Sequence, residues 1–520
     1  MPLSECTRTC ASLARVLHTV SGSASPCYVV GGFVRDVLLG RTPRDIDILV
    51  AGDPFTVAQQ VARELGASFV PLNQEHCIAR VVQKVDKPAT DGVPESSDGD
   101  ILVIDFAGFG GSVEDDLARR DFTIDAMALP ADIVAARCSP AGIAGGDVVD
   151  HVVDPTGGLH DLADGRLRAC SAQTFADDPG RLVRAVRLAH ELSFAIDAAT
   201  EQAISAHAHL LGGVAAERTR EELLKLLELP RATESLRHLD RVGLLTRVFP
   251  ELESCRDIEQ PTCHFWDVLE HSLQTVATYE FVSGESDWRY GNDEMLESVP
   301  HNQAYDLYLA APVSFDASRS TLIKLSCLLH DIAKPPTKTL DESGRARFLG
   351  HASDGATVAK AMLQRLRFSA HEASFVETLV CHHLRPAQMS TEGMPTRRAV
   401  YRFFRDTGSA GIGVLYLAMA DYLACRGPLF TMFEWRRVCE LVHFILEEHH
   451  RQEAVVVPSK LVDGRDLMRS FGLQPGPSVG VMLEAVREAQ AAGLISSRDE
   501  ALELASRMIE DGHFPVRTAK

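Results

Sequence analysis

The chain has 520 residues and a mass of 56.7 kDa, which at roughly 150 residues per domain predicts three or four domains. Hydrophobic residues make up 45% and charged residues 24%, ordinary globular usage that excludes a largely disordered or fibrous chain. A net charge of −20 argues against nucleic-acid binding, which wants a basic surface, unless one face of one domain is basic.

Residues 1–20 are polar and lack a cleavable leader pattern. No apolar run has the length of a bilayer span; the best, 411–425, is short and holds Asp421, so it is expected as a buried helix. A cytoplasmic address with no membrane partner is expected. The 12 cysteines are scattered without a CxxC pair, which argues against a disulfide scaffold or a zinc ribbon and fits a reducing compartment.

Residues 28–130 predict an α/β unit, with β-type runs at 28–30, 46–50, 78–82 and 101–106 between helical stretches. Residues 84–100, rich in Pro, Gly, Ser and charge, predict a flexible insertion. From about Asp177 the pattern turns helical, as in 181–194 and 217–229. A polar stretch at 283–318 is expected as a surface excursion, and amphipathic helix resumes after Val456 until about Asp511. The expected fold class is multidomain α+β: an α/β head at 1–160, a helical neck at 161–255, a helical domain at 256–450 and a helical tail at 451–520. No solenoid repeat is present, and no oligomeric state is indicated.

The first chemical constellation lies in the head. An apolar strand runs into Gly31-Gly32 and then Arg35-Asp36; glycine at a strand-to-helix turn lets backbone N–H groups approach a phosphate. Next comes RDIDILV at 44–50. Positions i and i+2 of a strand share a face, so Asp45 and Asp47 project together. Paired carboxylates repel unless a cation lies between them, and hard oxygen ligands suit Mg²⁺ shared with substrate phosphates. Alone, the pair is equally compatible with a solvated strand start.

It does not stand alone. RRDFTIDAMA follows at 119–128, DPTGGLHDL at 154–162, and DDPGRLVRAVR at 177–187. With GGFVRD and DID, these resemble, in order, the motifs of the class II nucleotidyltransferases: tRNA CCA-adding enzymes and bacterial poly(A) polymerases. Asp125 stands where that family more often has Asn, and Asp177 where it usually has Glu. The resemblance implies a polymerase-beta-like head. Asp45 and Asp47 would hold catalytic Mg²⁺, and Gly31, Gly32 and Arg35 would line the nucleotide. Arg120 and Asp121 would contact the ribose, and Asp178 and Arg181 would read the base. Cytosine and adenine both pair an exocyclic amine with a ring-nitrogen acceptor, which a carboxylate and a guanidinium can match. On a helix, i and i+3 share a face, so Asp178 and Arg181 are expected to act together. Arg184 and Arg187 are expected on a solvated face. Asp105, at the end of ILVIDF, is either a third carboxylate near the metals or a strand-end cap.

The second constellation is His271, His330-Asp331, His351, His382-His383 and Asp421, at helix-scale intervals. Imidazoles with carboxylates bind divalent transition metals, and the order resembles the HD superfamily of metal-dependent phosphohydrolases. The resemblance implies one metal at His271, His330, Asp331 and Asp421, and a second at His351 and His382, or His383 in its place. Some bacterial CCA-adding enzymes carry such a domain with phosphatase and cyclic phosphodiesterase activities. The expected function is C and A addition from CTP and ATP to tRNA (or another RNA) 3′ ends, with a second, hydrolytic activity. The alternatives are A-adding, CC-adding or poly(A) specificity, or chiefly an HD hydrolase. Arg398, Arg402 and Arg405 form a helical stripe able to track RNA phosphates, whereas the 217–225 charges are expected to pair among themselves.

Overall fold

The computed structural model describes residues 13–511 except 23–24, 44, 74–76, 86–99, 139–142, 144, 262, 316, 392 and 456–460. The core of the expected 84–100 insertion therefore lies outside the described residues. The chain forms two compact units, Met1–Val214 with Val242–Leu244, and Ala215–Arg241 with Leu245–Lys520.

The first unit is built on a six-stranded sheet of order β3-β4-β5-β2-β1-β6. The strands are β1 (Cys27–Val30), β2 (Ile46–Val50), β3 (Ser68–Asn73), β4 (Ile78–Val85), β5 (Asp100–Gly108) and β6 (Ala128–Pro130). β2 pairs parallel to β5 and antiparallel to β1, and buries Ile46, Ile48, Leu49 and Val50. The Pro54–Leu65 helix covers the sheet with Val57, Val61 and Leu65; Asp53 caps its start and Gly66, at φ 64°, its end. The sequence did not indicate β3 or β6. β3 is a largely exposed edge strand with Pro71, so it lacks the apolar alternation that marks a half-buried strand.

The DPTGGLHDL segment acts as a packing device. Asp154 accepts from the N–H groups of Gly158 and Leu159 at 2.8 and 2.9 Å. Asp161 accepts from the Thr123 hydroxyl at 2.7 Å and from Arg168 Nε at 2.8 Å, which ties this helix to the 119–128 motif. A Cβ on Gly158 would fall 2.2 Å from the Thr123 carbonyl oxygen, so no side chain fits. Gly158→Ala is expected to destabilise the fold by about 3 kcal/mol, read as a lowered denaturation midpoint; an unchanged midpoint would show that the two segments separate freely.

The second unit is helical. The 283–318 stretch is not a loose excursion: it forms helices Asp293–Glu297 and Gln303–Ala310 and buries Trp288 and Met295. Its apolar anchors are too widely spaced among polar residues to register as a helical stripe. The 411–425 run belongs to a longer stretch, Arg397–Leu429, which is long and apolar enough to cross a membrane by length and composition alone. A 3₁₀ turn at Gly408–Ala410 interrupts it, and 61% of its apolar window is buried in protein, so it is a core helix. Beyond it, helices Gly464–Phe471, Pro477–Ala491 and Arg498–Glu510 share a small core of Leu467, Met482, Val486, Ala501 and Ala505. The arginine stripe is exposed but paired with carboxylates. Arg398 and Arg402 donate to the buried Glu488 at 2.7 Å, and Arg405 donates to Glu484 and Glu488 at 3.0 Å.

Candidate functional site

In the first unit, the sheet sets the carboxylates. Asp47 on β2 lies in register with Asp105 on β5. Burial pushes the Asp47 carboxyl up to about 6, the Asp105 and Asp45 carboxylates push it the same way, and Arg120 opposes them. Asp45 is exposed just before β2. Asp105 accepts two bonds of 2.8 Å from Arg80 of β4. It is thus both a third carboxylate beside Asp47 and a partner of an arginine that sequence reasoning missed, since cross-strand pairing leaves no local signal. Among the described residues, the tight groups of metal-type ligand atoms all fall in the second unit.

β1 ends at Gly31, whose φ of 73° favours glycine. A Cβ there would lie 3.2 Å from Arg120 Nη1 and 3.4 Å from Asp47 Oδ2, so the turn, the arginine and the carboxylate meet at one point. Gly32 opens the next helix, Gly32–Leu38, whose leading N–H groups have no acceptor within the helix.

Arg35, which the resemblance puts along the nucleotide, is engaged by carboxylates of its own fold. It is buried, with Nη1 donating to Asp125 Oδ1 at 2.7 Å and Nε to Asp36 at 2.9 Å. A buried guanidinium needs carboxylates around it, and this one has found two. Arg184 and Arg187 also depart from the solvated face expected of them. Arg184 Nε pairs with Asp121 at 2.8 Å and its Nη2 lies 3.7 Å from Asp125 Oδ2; Arg187 is buried against Glu191. Asp125 thus joins Arg35 to Arg184, which in turn holds Asp121.

Burial raises the Asp125 carboxyl above its ordinary value, and Arg35 opposes that shift. Asn at this position keeps an acceptor for Arg35 and leaves two cations facing Asp36 and Asp121. Asp125→Asn is therefore expected to shift stability by less than about 1 kcal/mol, whereas Asp125→Ala costs about 3 kcal/mol. Equal losses in both variants on chemical denaturation would contradict this account.

Asp178 and Arg181 come together, but not on one helix. Asp178 is extended (φ −143°, ψ 93°) and the helix starts at Arg181, because the proline at 179 disfavours helical geometry in the residue before it. The Asp178 carboxylate still reaches Arg181 Nε at 3.7 Å and also accepts from Gly180 N at 3.0 Å. Arg181 is braced by the carbonyls of Thr174 and Arg119 at 3.3 and 3.4 Å. Asp177 is exposed.

In the second unit, five helix segments converge. His271 sits on Val268–Val282, His330 and Asp331 just past Arg319–Leu329, and His351 at the head of His351–Arg365. His383 follows Ala370–His382, and Asp421 lies on Gly411–Arg426. His271 Nε2 is 3.2 Å from His330 Nε2, 3.3 Å from Asp331 Oδ2 and 3.1 Å from Asp421 Oδ1. On the other side of the carboxylate, Asp331 Oδ1 faces His351 Nε2 at 3.4 Å and His383 Nε2 at 4.0 Å. His383, not His382, therefore joins this group. One residue along a helix turns a side chain by about 100°, and the half-buried His382 instead feels Arg385 and Asp406.

The rings are aimed from behind. Nδ1 of His330, His351 and His383 meets the carbonyls of Cys327, Phe348 and Val380 at 2.9, 2.6 and 2.7 Å. A proton on Nδ1 leaves Nε2 as a bare ligand nitrogen facing inward. Asp331 Oδ1, His351 Nε2 and His383 Nε2 are buried with no hydrogen-bond partner, as expected of atoms that serve a metal ion. Burial works against charge on His330, yet Asp331 and Asp421 raise it to about 10; burial lowers His383 to about 4. Lys334, i+3 from Asp331, contacts Asp331 Oδ2 at 2.5 Å. It lines a pocket over the cluster together with Arg345, Arg347, His351 and Asp421. Neither Lys334 nor the two arginines, which belong to a hairpin, were singled out from the sequence.

Comparison with known proteins matches the chain to a family. Residues 27–168 match the poly A polymerase head domain, 193–256 the probable RNA and SrmB-binding site of polymerase A, and 294–424 the HD domain. The chain is 32% identical to a CC-adding tRNA nucleotidyltransferase of Thermus thermophilus, over 91% of this chain and 92% of that protein. It is 31% identical to an A-adding tRNA nucleotidyltransferase of Deinococcus radiodurans, over 93% and 95%. The fold is shared with a CCA-adding enzyme solved with CTP (TM-score 0.58, 22% identity, 96% and 95% covered). With a polymerase-type head, an RNA-binding segment and an HD domain in that order, the chain belongs to the tRNA nucleotidyltransferase family.

Proposed function

We propose that the chain adds C and A nucleotides from CTP and ATP to tRNA 3′ ends in the cytoplasm. The observation that carries this reading is Asp47, a half-buried carboxylate crowded by Asp105 and Asp45 beside the Gly31 turn, whose φ of 73° favours glycine. Asp45 and Asp47 would hold Mg²⁺, which when bound supplies charge neutralisation for the triphosphate and activation of the RNA hydroxyl. Gly31 and Gly32 would let the phosphates approach the backbone. Arg120 and Asp121 would hold the ribose, the latter braced by Arg184. Asp178 would accept from the base amine while Arg181 donates to the ring nitrogen. Guanine or uracil would leave that pair without partners, at a cost of about 1–3 kcal/mol. We assign this work to the head (1–160) and neck (161–255).

The HD domain (256–450) would be a second active centre, followed by the tail (451–520). His271, His330, Asp331 and Asp421 would hold one divalent transition metal, and Asp331, His351 and His383 another. Metals there supply Lewis-acid activation of water against a phosphoester. Lys334, Arg345 and Arg347 would retain the anionic ester.

A narrower reading, CC addition or A addition alone, is favoured by relatives matched over nine-tenths of their length, which are CC-adding or A-adding enzymes. One experiment separates the readings. Three tRNAs, ending before CCA, after C and after CC, are incubated with Mg²⁺ and CTP, ATP or both. Completion of all three supports CCA addition. Extension that stops at CC, or that requires CC, supports the narrower readings, and no incorporation refutes nucleotide transfer.

A further inference from the structure

A third cluster of metal-type side chains lies beside the histidine–aspartate cluster and consists of softer ligands. Cys263 and His264 are consecutive in the segment before the Val268–Val282 helix. Cys425 lies on the Gly411–Arg426 helix, one turn past Asp421. The main chain joins the two segments: Phe265 N donates to Cys425 O at 2.9 Å, and the Cys425 thiol donates to Cys263 O at 3.2 Å. Cys263 Sγ is 3.2 Å from His264 Nδ1. One ligand atom from each of the three residues falls within 4.8 Å of the others, and all three side chains are half-buried. Both cysteines are free thiols.

These distances suit a shared ion. Ligands about 2.0–2.3 Å from a tetrahedral metal stand roughly 3.3–3.8 Å apart, so small side-chain adjustments would close the shell. Two thiolates and a neutral imidazole balance a divalent charge, and sulfur selects zinc-like ions over magnesium. The far nitrogen of His264 lies 3.4 Å from Lys334 Nζ, but Lys334 has closer partners in Gln260 and Asp331, both at 2.5 Å. The imidazole can therefore turn its Nδ1 to a metal without stranding the lysine. His264 also lines the pocket over the histidine–aspartate cluster, which gives an ion a route in and a fourth position for water.

We infer that Cys263, His264 and Cys425 form a separate binding site for one thiophilic divalent cation of the zinc class. The ion would clamp the 263–265 segment to the helix that carries Asp421. The site does not depend on nucleotide addition or on HD hydrolysis.

Cobalt(II) titration of the full-length, metal-stripped protein under reducing conditions tests this. Thiolate-bound cobalt absorbs in the near ultraviolet, and cobalt held by imidazole and carboxylate alone does not. The expected result is a charge-transfer band whose final intensity corresponds to one thiolate-bound cobalt per chain, whatever further cobalt the histidine–aspartate cluster takes up. It should fall at least tenfold in Cys263→Ser and in Cys425→Ser and persist in Asp331→Asn. Zinc should abolish the band by competition. The inference is overturned if no band appears, if both serine variants keep it, or if Cys263 and Cys425 are found as a disulfide in the reduced protein. Far-ultraviolet circular dichroism reports folding of the variants. If Cys425→Ser does not fold, Cys263→Ser decides alone.

Discussion

Asp47→Asn is expected to lower nucleotide addition to tRNA by about 10³-fold or more while raising the stability of the metal-free protein. The two effects share one cause. Burial and the neighbouring Asp105 and Asp45 carboxylates raise the Asp47 carboxyl to about 6, so its ionised form is a liability in the folded state when no cation is bound. A raised carboxyl destabilises the fold above its folded value, and the penalty fades as pH falls from about 6 towards the ordinary 3.8. The variant should therefore gain on the order of 1–2 kcal/mol at pH 8, with little gain at pH 4. Mg²⁺ should stabilise the parent protein and not the variant. Primer-extension rates and denaturation midpoints with and without Mg²⁺ check this. Incorporation within tenfold of the parent would remove Asp47 from the active site.

Asp331→Asn should empty the histidine cluster and leave nucleotide addition unchanged. Asp331 turns Oδ2 to His271 and His330, at 3.3 and 3.2 Å, and Oδ1 to His351 and His383, at 3.4 and 4.0 Å. An amide offers one acceptor oxygen and points N–H groups at the other nitrogens, so it can serve at most one side. Transition metal bound beyond the one ion assigned to Cys263, His264 and Cys425 is expected to drop at least tenfold, and hydrolysis of a simple phosphodiester by about 10³-fold. Metal analysis by mass spectrometry beside the two activity assays decides the matter; full metal content in the variant would contradict it. The metal-free parent adds a pH signature. His330, held at about 10 by Asp331 and Asp421 against burial, contributes stability that is present below pH 6.5 and lost as pH rises through 10. The variant, with one carboxylate fewer, should lose less over that window.

Much of the head was legible because its chemistry is local. The alternation of DIDIL on a strand, the double glycine at a turn and the ordered arginine–aspartate motifs each sit within a few residues. The strands at 46–50 and 101–106 were read from apolar runs, of which Ile46, Ile48, Leu49, Val50, Leu102, Ile104 and Phe106 are buried. Less legible were elements whose residues carry no pattern of their own, such as the exposed β3 and the sparsely anchored 283–318 helices. In the HD domain the ligand types and their spacing were visible, yet two adjacent histidines could not be ranked. The end of the Ala370–His382 helix decides between them, because it turns His383 inward and His382 away.

The sequence by itself determined which chemistries the chain carries: paired carboxylates and a glycine turn for nucleotidyl transfer, and histidines with aspartates for metal. Those rest on residue type and on the two-residue or helical period, both local properties. The tertiary structure alone decided where each charge is spent. Arg35 is buried against Asp125, Arg80 holds Asp105, and Arg398, Arg402 and Arg405 converge on Glu488. A guanidinium looks the same in a sequence whether it faces phosphate or a carboxylate from a distant element. Its partner is set by packing through space: for the buried Arg35, a charge withdrawn from water is tolerated only where the fold supplies its complement, and for the exposed arginines the fold decides which carboxylate lies within reach.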